Sequence, residues 1–218
     1  MTQQQGSPAA PHSPEHALVR WEARFSVGEY LFGEHPNAYL ASKAGLFVSG
    51  GRALSIADGE GRNSVWLAGQ GLRVDAFDFS PTAVVKAERL ALKRGVRVGF
   101  NVSEVLAWNW ATSTYDLVAA IFIQFASPAV REKLFTLIKQ TLKPGGLLIL
   151  QGYRTEQLKY GTGGPPELDH LYTEAMIREL LNDMEILELR CYDEPIDEGK
   201  GHSGMSALMG VVARKRQG

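Results

Sequence analysis

Residues 52–81 read RALSIADGEGRNSVWLAGQGLRVDAFDFSP, and the order of patterns within them decides the fold. Residues 52–57 are a short apolar run bounded by glycines, as in a strand buried on both faces. Asp58, Gly59, Glu60 and Gly61 form a turn, and a helix begins at Asn63. Residues 72–77 are a second strand, ended by Asp78. Ser80-Pro81 starts the next helix, with a hydroxyl N-cap followed by proline at the first helical position. That helix runs to about Arg94 and stops at Gly95, where a C-terminal glycine is expected.

Working outward, the alternation continues. Residues 96–101 give a third strand, and 115–123 (YDLVAAIFI) a fourth that is nearly all apolar. Ser127-Pro128 opens a helix whose apolar stripe is Val130, Leu134, Leu137, Ile138 and Leu142. Lys143-Pro144-Gly145-Gly146 turns into a fifth strand, 147–152. After Thr173 come one more helix and two strand-like segments, 185–192 and 207–213. With no helix between them, those two form an antiparallel pair at the end of the sheet. Upstream, residues 16–25 fit a helix with Leu18, Trp21 and Phe25 on one face. An aromatic, glycine-rich loop follows at 27–33, and a second helix is expected from Pro36 to about Phe47. The first 15 residues, rich in Gln, Pro, Ser and Ala, read as a disordered tail before a single domain at 16–218.

This pattern specifies an α/β fold: a three-layer sandwich around a mostly parallel, seven-stranded sheet with an antiparallel terminal strand. The chain has 218 residues, 44% hydrophobic and 22% charged, enough for one ordinary globular core. A net charge of −1 gives no field toward nucleic acid or an anionic membrane. The basic run Arg214-Lys215-Arg216 reads as a solvated tail. Cys191 is the only cysteine, which leaves no disulfide framework, and its strand-like surroundings suggest a buried, inert thiol. No apolar run is long enough to span a bilayer, and no signal-peptide core opens the chain. A cytoplasmic protein is expected. No spacing of His, Cys, Asp or Glu suggests a metal site.

The order of elements, with the motifs GEGRN, LKPGG and GTGGP, resembles the class I S-adenosylmethionine-dependent methyltransferases, whose fold is Rossmann-like. Within them it looks like the small-molecule branch related to tellurite-resistance and thiopurine methyltransferases. The resemblance covers nearly all of the chain after the tail. It implies S-adenosyl-L-methionine as cofactor and a small-molecule acceptor, with no nucleic acid or membrane as partner, in a monomer or homodimer.

Ligands of open α/β sheets bind at the carboxyl ends of strands where the strand order reverses. Gly59 and Gly61 would let backbone approach the cofactor without a side chain in the way. Asp78 has two readings, acceptor for both ribose hydroxyls or helix-capping carboxylate beside Ser80; the resemblance favours the first and sets Phe79 against the adenine. Glu60, Asn63 and Ser80 are further cofactor-binding candidates beside the same loop. The usual loop reads Asp-x-Gly-x-Gly-x-Gly, and its positions hold Ser55, Ala57, Gly59 and Gly61 here. The aspartate that commonly fixes the methionine ammonium is therefore replaced, and Asp58 is the expected substitute. A dinucleotide-binding or noncatalytic protein of the same fold is the rival reading. It fits less well, because the sixth position of the fingerprint is Ser64 and because Asp58 and Glu60 would repel a pyrophosphate.

By the resemblance, Glu104 stands where an acidic residue meets the adenine amino group, between Ser103 and Val105; a solvent-facing glutamate is the alternative. Ile121 and Phe122 would line the thioether side of the cofactor and pack in the core as well. Loops above the strand ends should supply the acceptor site. The candidates are Tyr30, Phe32, Gln124 and Arg154 for binding, and Tyr153 and His202 for catalysis. Related sequences often carry histidine where Gln124 stands. His202 reads as a base, an anion contact or an ordinary surface histidine. The run Gly161-Thr162-Gly163-Gly164-Pro165 reads as a lid, a backbone nest or a plain connection.

Overall fold

The computed structural model describes residues 14–217. Residues 1–13 lie outside it, and most of the expected tail with them; Pro14 and Glu15 already belong to the first helix, α1 (Pro14–Phe25). The expected helix over 36–47 is much shorter: α2 is Ala38–Ala41, followed by a 3-10 turn at Ala44–Leu46. Asn37, not Pro36, begins α2, and its side chain accepts from the Leu40 N–H at 3.0 Å. Tyr39 and Leu40 are already buried by that single turn, and Gly45 gives little support for extending it.

The decisive stretch folds as read. β1 (Arg52–Ile56) leads through the glycine turn to α3 (Arg62–Gly69), then β2 (Arg73–Asp78) and α4 (Pro81–Arg94). The Ser80 hydroxyl accepts from the Ala83 N–H at 3.0 Å, and Gly95 closes the helix in the left-handed region, φ 68°. Next come β3 (Val98–Val102), β4 (Tyr115–Ile121), α5 (Pro128–Thr141) and β5 (Leu142–Tyr153). The Lys-Pro-Gly-Gly turn lies within β5 as an irregularity: pairing with β4 jumps from Tyr115↔Leu142 to Leu117↔Leu147. The last elements are α6 (Glu174–Leu180), β6 (Met184–Asp197) and β7 (Ser203–Lys215).

The seven strands lie in the order β3-β2-β1-β4-β5-β7-β6. Pairing is parallel from β3 through β5 and antiparallel at β5–β7 and β7–β6. Strand residues alternate between two cores. Leu54, Val118, Ala120, Leu148 and Leu150 face Leu134 and Ile138 of α5, whereas Ala53, Leu117, Ala119 and Ile149 face Leu67 of α3 and Tyr39 and Leu40 of α2. The expected α/β sandwich is therefore present.

Both terminal strands are longer than the sequence pattern suggests. Tyr153, at the end of β5, pairs with Leu208, so the first five residues of β7 and their partners on β6 project beyond the carboxyl edge of the parallel strands. The turn at 198–202 is closed by the Glu198 N–H donating to the His202 carbonyl at 2.8 Å. It overhangs the edge where β1 and β4 lead in opposite directions. Cys191 corrects an expectation: it lies on the outermost strand and is exposed, because among the described residues no strand pairs with the far side of β6.

Candidate active site

β1 enters the glycine turn through Ala57, an alanine with φ 47°. Left-handed backbone is costly for any residue with a Cβ, and such strain concentrates at functional sites. The turn brings Asp58 beneath the first turn of α3. Its carboxylate accepts from the Ser55 hydroxyl at 2.6 Å, from the Ser64 N–H at 3.2 Å and from the Ser64 hydroxyl. This differs from the expected role. Asp58 is buried, and its oxygens are spent on the helix terminus and two serines rather than turned toward an ammonium. Burial pushes its pKa up, against those hydrogen bonds.

Gly61 also has a structural reason. With φ 91°, it lies so close to α4 that a Cβ would fall 2.7 Å from the Cβ of Ala87. Gly59 is less crowded: a Cβ there would meet only the ring of Phe25, in ordinary contact at 3.7 Å. Its N–H donates to Asp78 Oδ2 at 2.9 Å, and the Ser80 N–H donates to Oδ1 at 2.9 Å. Burial pushes the Asp78 carboxyl up to about 6, against the hydrogen bonds from Ser80 and Gly59. The Ser103 N–H donates to the Asp78 carbonyl at 2.9 Å, so the 103–105 segment adjoins the end of β2. Glu104 is exposed, and Phe79 and Val105 are partly buried.

The N-terminal segment covers this half. Glu22 of α1 accepts from the Ser80 hydroxyl, from Thr82 Oγ1 at 2.5 Å and from the Thr82 N–H at 3.2 Å. Lys86 of α4 is buried, ion-paired to Glu60, and donates to the carbonyls of Val27 at 2.9 Å and Glu29 at 2.7 Å. Glu60 also accepts from the Leu31 N–H at 2.6 Å. Glu60 therefore fastens the 27–33 loop rather than facing a ligand. Asn63 similarly accepts from the Asn37 N–H at 2.9 Å. Tyr30 lies outside the acceptor region: its hydroxyl donates to the Lys86 carbonyl at 3.0 Å.

The second half stands over β4 and β5. Phe122, just past β4, is again a non-glycine residue in the left-handed region, φ 54°. Its ring lies 4.2 Å from that of His202 and 4.8 Å from that of Tyr153, centroid to centroid. Phe32 closes the group at 4.5 Å from His202. Sequence reasoning named all four residues, and the fold brings them together. The Tyr153 hydroxyl and His202 Nδ1 are both buried without a hydrogen-bond partner. Burial pushes the Tyr153 phenol up, so it stays protonated; burial pushes the His202 imidazole down, against the nearby Glu198 carboxylate, so it is neutral at pH 7. Gly164 presses on the Tyr153 ring, where a Cβ would meet it at 2.8 Å, which places the Gly-Thr-Gly-Gly run over the site.

Four polar residues missed at the sequence level line the same place. Arg62 pairs with Glu198 at 2.7 Å, both nearly buried. Asn37 Nδ2 donates to Glu198 Oε1 at 2.9 Å and to Gln151 Oε1 at 2.5 Å, and the Gln151 amide donates to the Tyr192 hydroxyl at 2.6 Å. Burial opposes charge on Glu198, but His202, Arg62 and the Ala38 N–H outweigh it and hold the carboxyl down at about 2. Arg62 stands inside the Gly-Glu-Gly-Arg-Asn motif, a signal that could have found it, whereas the place of Glu198 depends on how far the terminal hairpin extends.

Two other candidates belong elsewhere. Gln124 is buried and binds backbone, donating to the Tyr153 carbonyl at 2.8 Å and accepting from its N–H at 2.5 Å. Its two-sided amide splices the end of β5 to the turn after β4. Arg154 pairs with Asp193 and Glu156 and donates to the Leu208 carbonyl at 3.1 Å. It braces the terminal hairpin instead of facing the rings. Ile121 is buried in the core, one of its two expected roles. Among the described residues no group of His, Cys, Asp or Glu is placed to hold a metal, and no helix is long and apolar enough to cross a membrane.

Residues 53–146 match the family described as a methyltransferase domain. Over 153 aligned residues the chain is 27% identical to phosphoethanolamine N-methyltransferase 2 of Caenorhabditis elegans, covering 62% of this chain and 34% of that protein. The chain thus spans about a third of the length of that curated relative. Among solved structures, NodS N-methyltransferase of Bradyrhizobium japonicum with S-adenosyl-l-homocysteine superposes with a TM-score of 0.70 at 15% identity, over 91% of this chain and 97% of that one. TehB of Haemophilus influenzae superposes with a TM-score of 0.68 at 18% identity, over 83% and 62%. These likenesses establish the Rossmann-like methyltransferase fold.

Proposed function

We propose that this chain is an S-adenosylmethionine-dependent methyltransferase acting on a small molecule in the cytoplasm, as a monomer or homodimer. The observation that carries the reading is the position of Asp78: a buried carboxylate at the carboxyl end of β2, hydrogen-bonded to the N–H of Gly59 in the glycine turn. The residues present fit an adenosine. Asp78 would accept from the ribose hydroxyls, Phe79 and the 103–105 segment would flank the base, and the backbone of Gly59 would lie against the ligand. The cofactor supplies a methyl carbon already activated by a sulfonium. What this chain supplies is alignment and exclusion of water. Phe32, Phe122 and Tyr153 form an apolar wall for the acceptor, and the Tyr153 hydroxyl, buried without a partner, offers a hydrogen bond to it. α1 and the 27–33 loop cover the adenosine half.

Calorimetric titration with S-adenosyl-L-homocysteine, with NAD as control, tests this. Micromolar binding of the first and none of the second is the expected result. Binding of NAD alone would replace the reading with a dinucleotide protein, and binding of neither would leave a noncatalytic one.

A further inference from the structure

The turn at 198–202 carries two buried titratable groups, Glu198 and His202, that the cofactor site and the apolar wall do not use. A hairpin of this kind closes without a buried glutamate four residues before a buried histidine. Here Glu198 is tied from three directions: by the Arg62 guanidinium of α3 at 2.7 Å, the Asn37 amide at 2.9 Å and the Ala38 N–H at 3.1 Å. Its Oε2 stands 3.9 Å from His202 Nδ1, the only carboxylate that approaches the ring among the described residues. The imidazole is clasped by Phe32, Phe122 and Tyr153, and its Nδ1 is buried without a hydrogen-bond partner. The charged or titratable groups around it are Glu198 on its own turn, Arg62 on α3, Arg24 on α1 and Tyr153 on β5.

We infer that Glu198 and His202 form a proton-accepting pair, in which Glu198 is a positioning residue for the imidazole, and that the methyl acceptor is a hydroxyl or amine rather than a thiolate or halide. The inference rests on the methyltransferase reading above. A carboxylate on the Nδ1 side fixes the proton on Nδ1 and leaves Nε2 with a free lone pair. The 3.9 Å separation is too long for a hydrogen bond, and such contacts commonly tighten only when ligands are bound. In the step, the acceptor's lone pair forms the new bond to the methyl carbon as the carbon–sulfur bond breaks, and that bond's electrons stay on sulfur. The acceptor's O–H or N–H proton passes to Nε2, and Glu198 stabilises the resulting imidazolium. A thiolate or halide arrives without a proton and needs no such pair.

The test is imidazole nitrogen NMR of the full chain with S-adenosylhomocysteine bound, the His202 signal being assigned by its loss in His202→Asn. A neutral ring at pH 7 with its proton on Nδ1 is expected; a proton on Nε2 overturns the pair. In Glu198→Gln the His202 titration midpoint falls by about 1 pH unit, as loss of a nearby opposite charge requires; an unchanged midpoint also overturns it. A variant that fails to fold leaves the wild-type tautomer as the deciding measurement. For the acceptor class, iodide and 2-nitro-5-thiobenzoate, an aromatic thiol that is a thiolate at pH 7, are the probes. Wild type is expected to methylate them no faster than His202→Asn, and a catalysed transfer that survives in that variant overturns the hydroxyl or amine assignment. Wild-type protein that does not bind S-adenosylhomocysteine refutes the methyltransferase reading itself, a result distinct from each of these.

Discussion

At the ends of β1 and β2 the site is made by residues close in sequence: Asp58 bonds Ser55 three positions away and Ser64 six away, and Gly59 reaches Asp78 across 19. At the ends of β4 and β5 it is made by residues far apart: Arg62 and Glu198 are separated by 136 positions, and Asn37 and Glu198 by 161. The first half can take shape with its own strand–helix unit. The second exists only when α3, β5, the terminal hairpin and the N-terminal loop are all in place. Local order therefore belongs to the cofactor side, and the acceptor side depends on the completed fold.

The largest expected effect breaks the distant half. Glu198→Ala leaves the Arg62 guanidinium buried without its counter-charge, and removal of one partner from a buried pair costs about 3–5 kcal/mol. Denaturant unfolding measures it. Replacing both partners together, Arg62→Met with Glu198→Leu, should recover most of that loss, since an apolar pair needs no counter-charge. If the double variant is as unstable as the single one, the ion pair is not what joins α3 to the hairpin.

Acid should weaken the same half. The folded Glu198 carboxyl is held at about 2, below its ordinary value of 4.5. Its contribution to stability is therefore complete above pH 4.5 and is lost as the pH falls from there through about 2. Glu198→Gln should flatten that part of the stability profile, as followed by urea midpoints across pH.

On the local side the expected effect is on affinity. Asp78→Asn replaces a charged acceptor for two ribose hydroxyls, and hydrogen bonds to charged groups are worth about 1.5–3 kcal/mol each. S-adenosylhomocysteine should bind about 100-fold more weakly if half of that survives in the amide. Because the Asp78 pKa is raised to about 6, its stability term is present below pH 3.8 and fades as the pH rises through 6. Ligand affinity runs the other way: it falls as the pH drops through 6 and the carboxylate takes a proton. Titration calorimetry from pH 5 to 8 checks the slope, which Asp78→Asn should remove.

The same contrast explains what the sequence made legible. Strand order, the glycine turn, the caps of α4 and the place of Asp78 all depend on short spacings with a strong physical rule behind each. The contacts of Asp58, Glu60 and Asn63 were misread because a motif shows where backbone turns, not where a side chain finds its first partner. Serine hydroxyls, Lys86 and the Asn37 N–H reach them before any ligand does. Gln124 and Arg154 stand at strand ends, as acceptor residues would, but their direction depends on the hairpin packed beside them. The partnership of Glu198 with Arg62 was hidden for a different reason: nothing local says how far β6 and β7 extend past the sheet.

The smallest expected effect is at Ala57, one of two strained residues, one in each half. Ala57 and Phe122 hold similar left-handed backbone, at φ 47° and 54°. The strain costs about 1–2 kcal/mol for a residue with a Cβ, whereas glycine loses about 0.5–1 kcal/mol through the freedom of the unfolded chain. Ala57→Gly should therefore raise stability by about 0.5 kcal/mol, since its methyl group contributes little packing. Phe122→Gly relieves the same backbone but removes the ring between His202 and Tyr153, and loss of a packed aromatic costs about 3–5 kcal/mol. Thermal melting of the two variants should move in opposite directions. A shared direction would mean that both turns are held by their surroundings alone, and that neither side of the edge stores strain in its backbone.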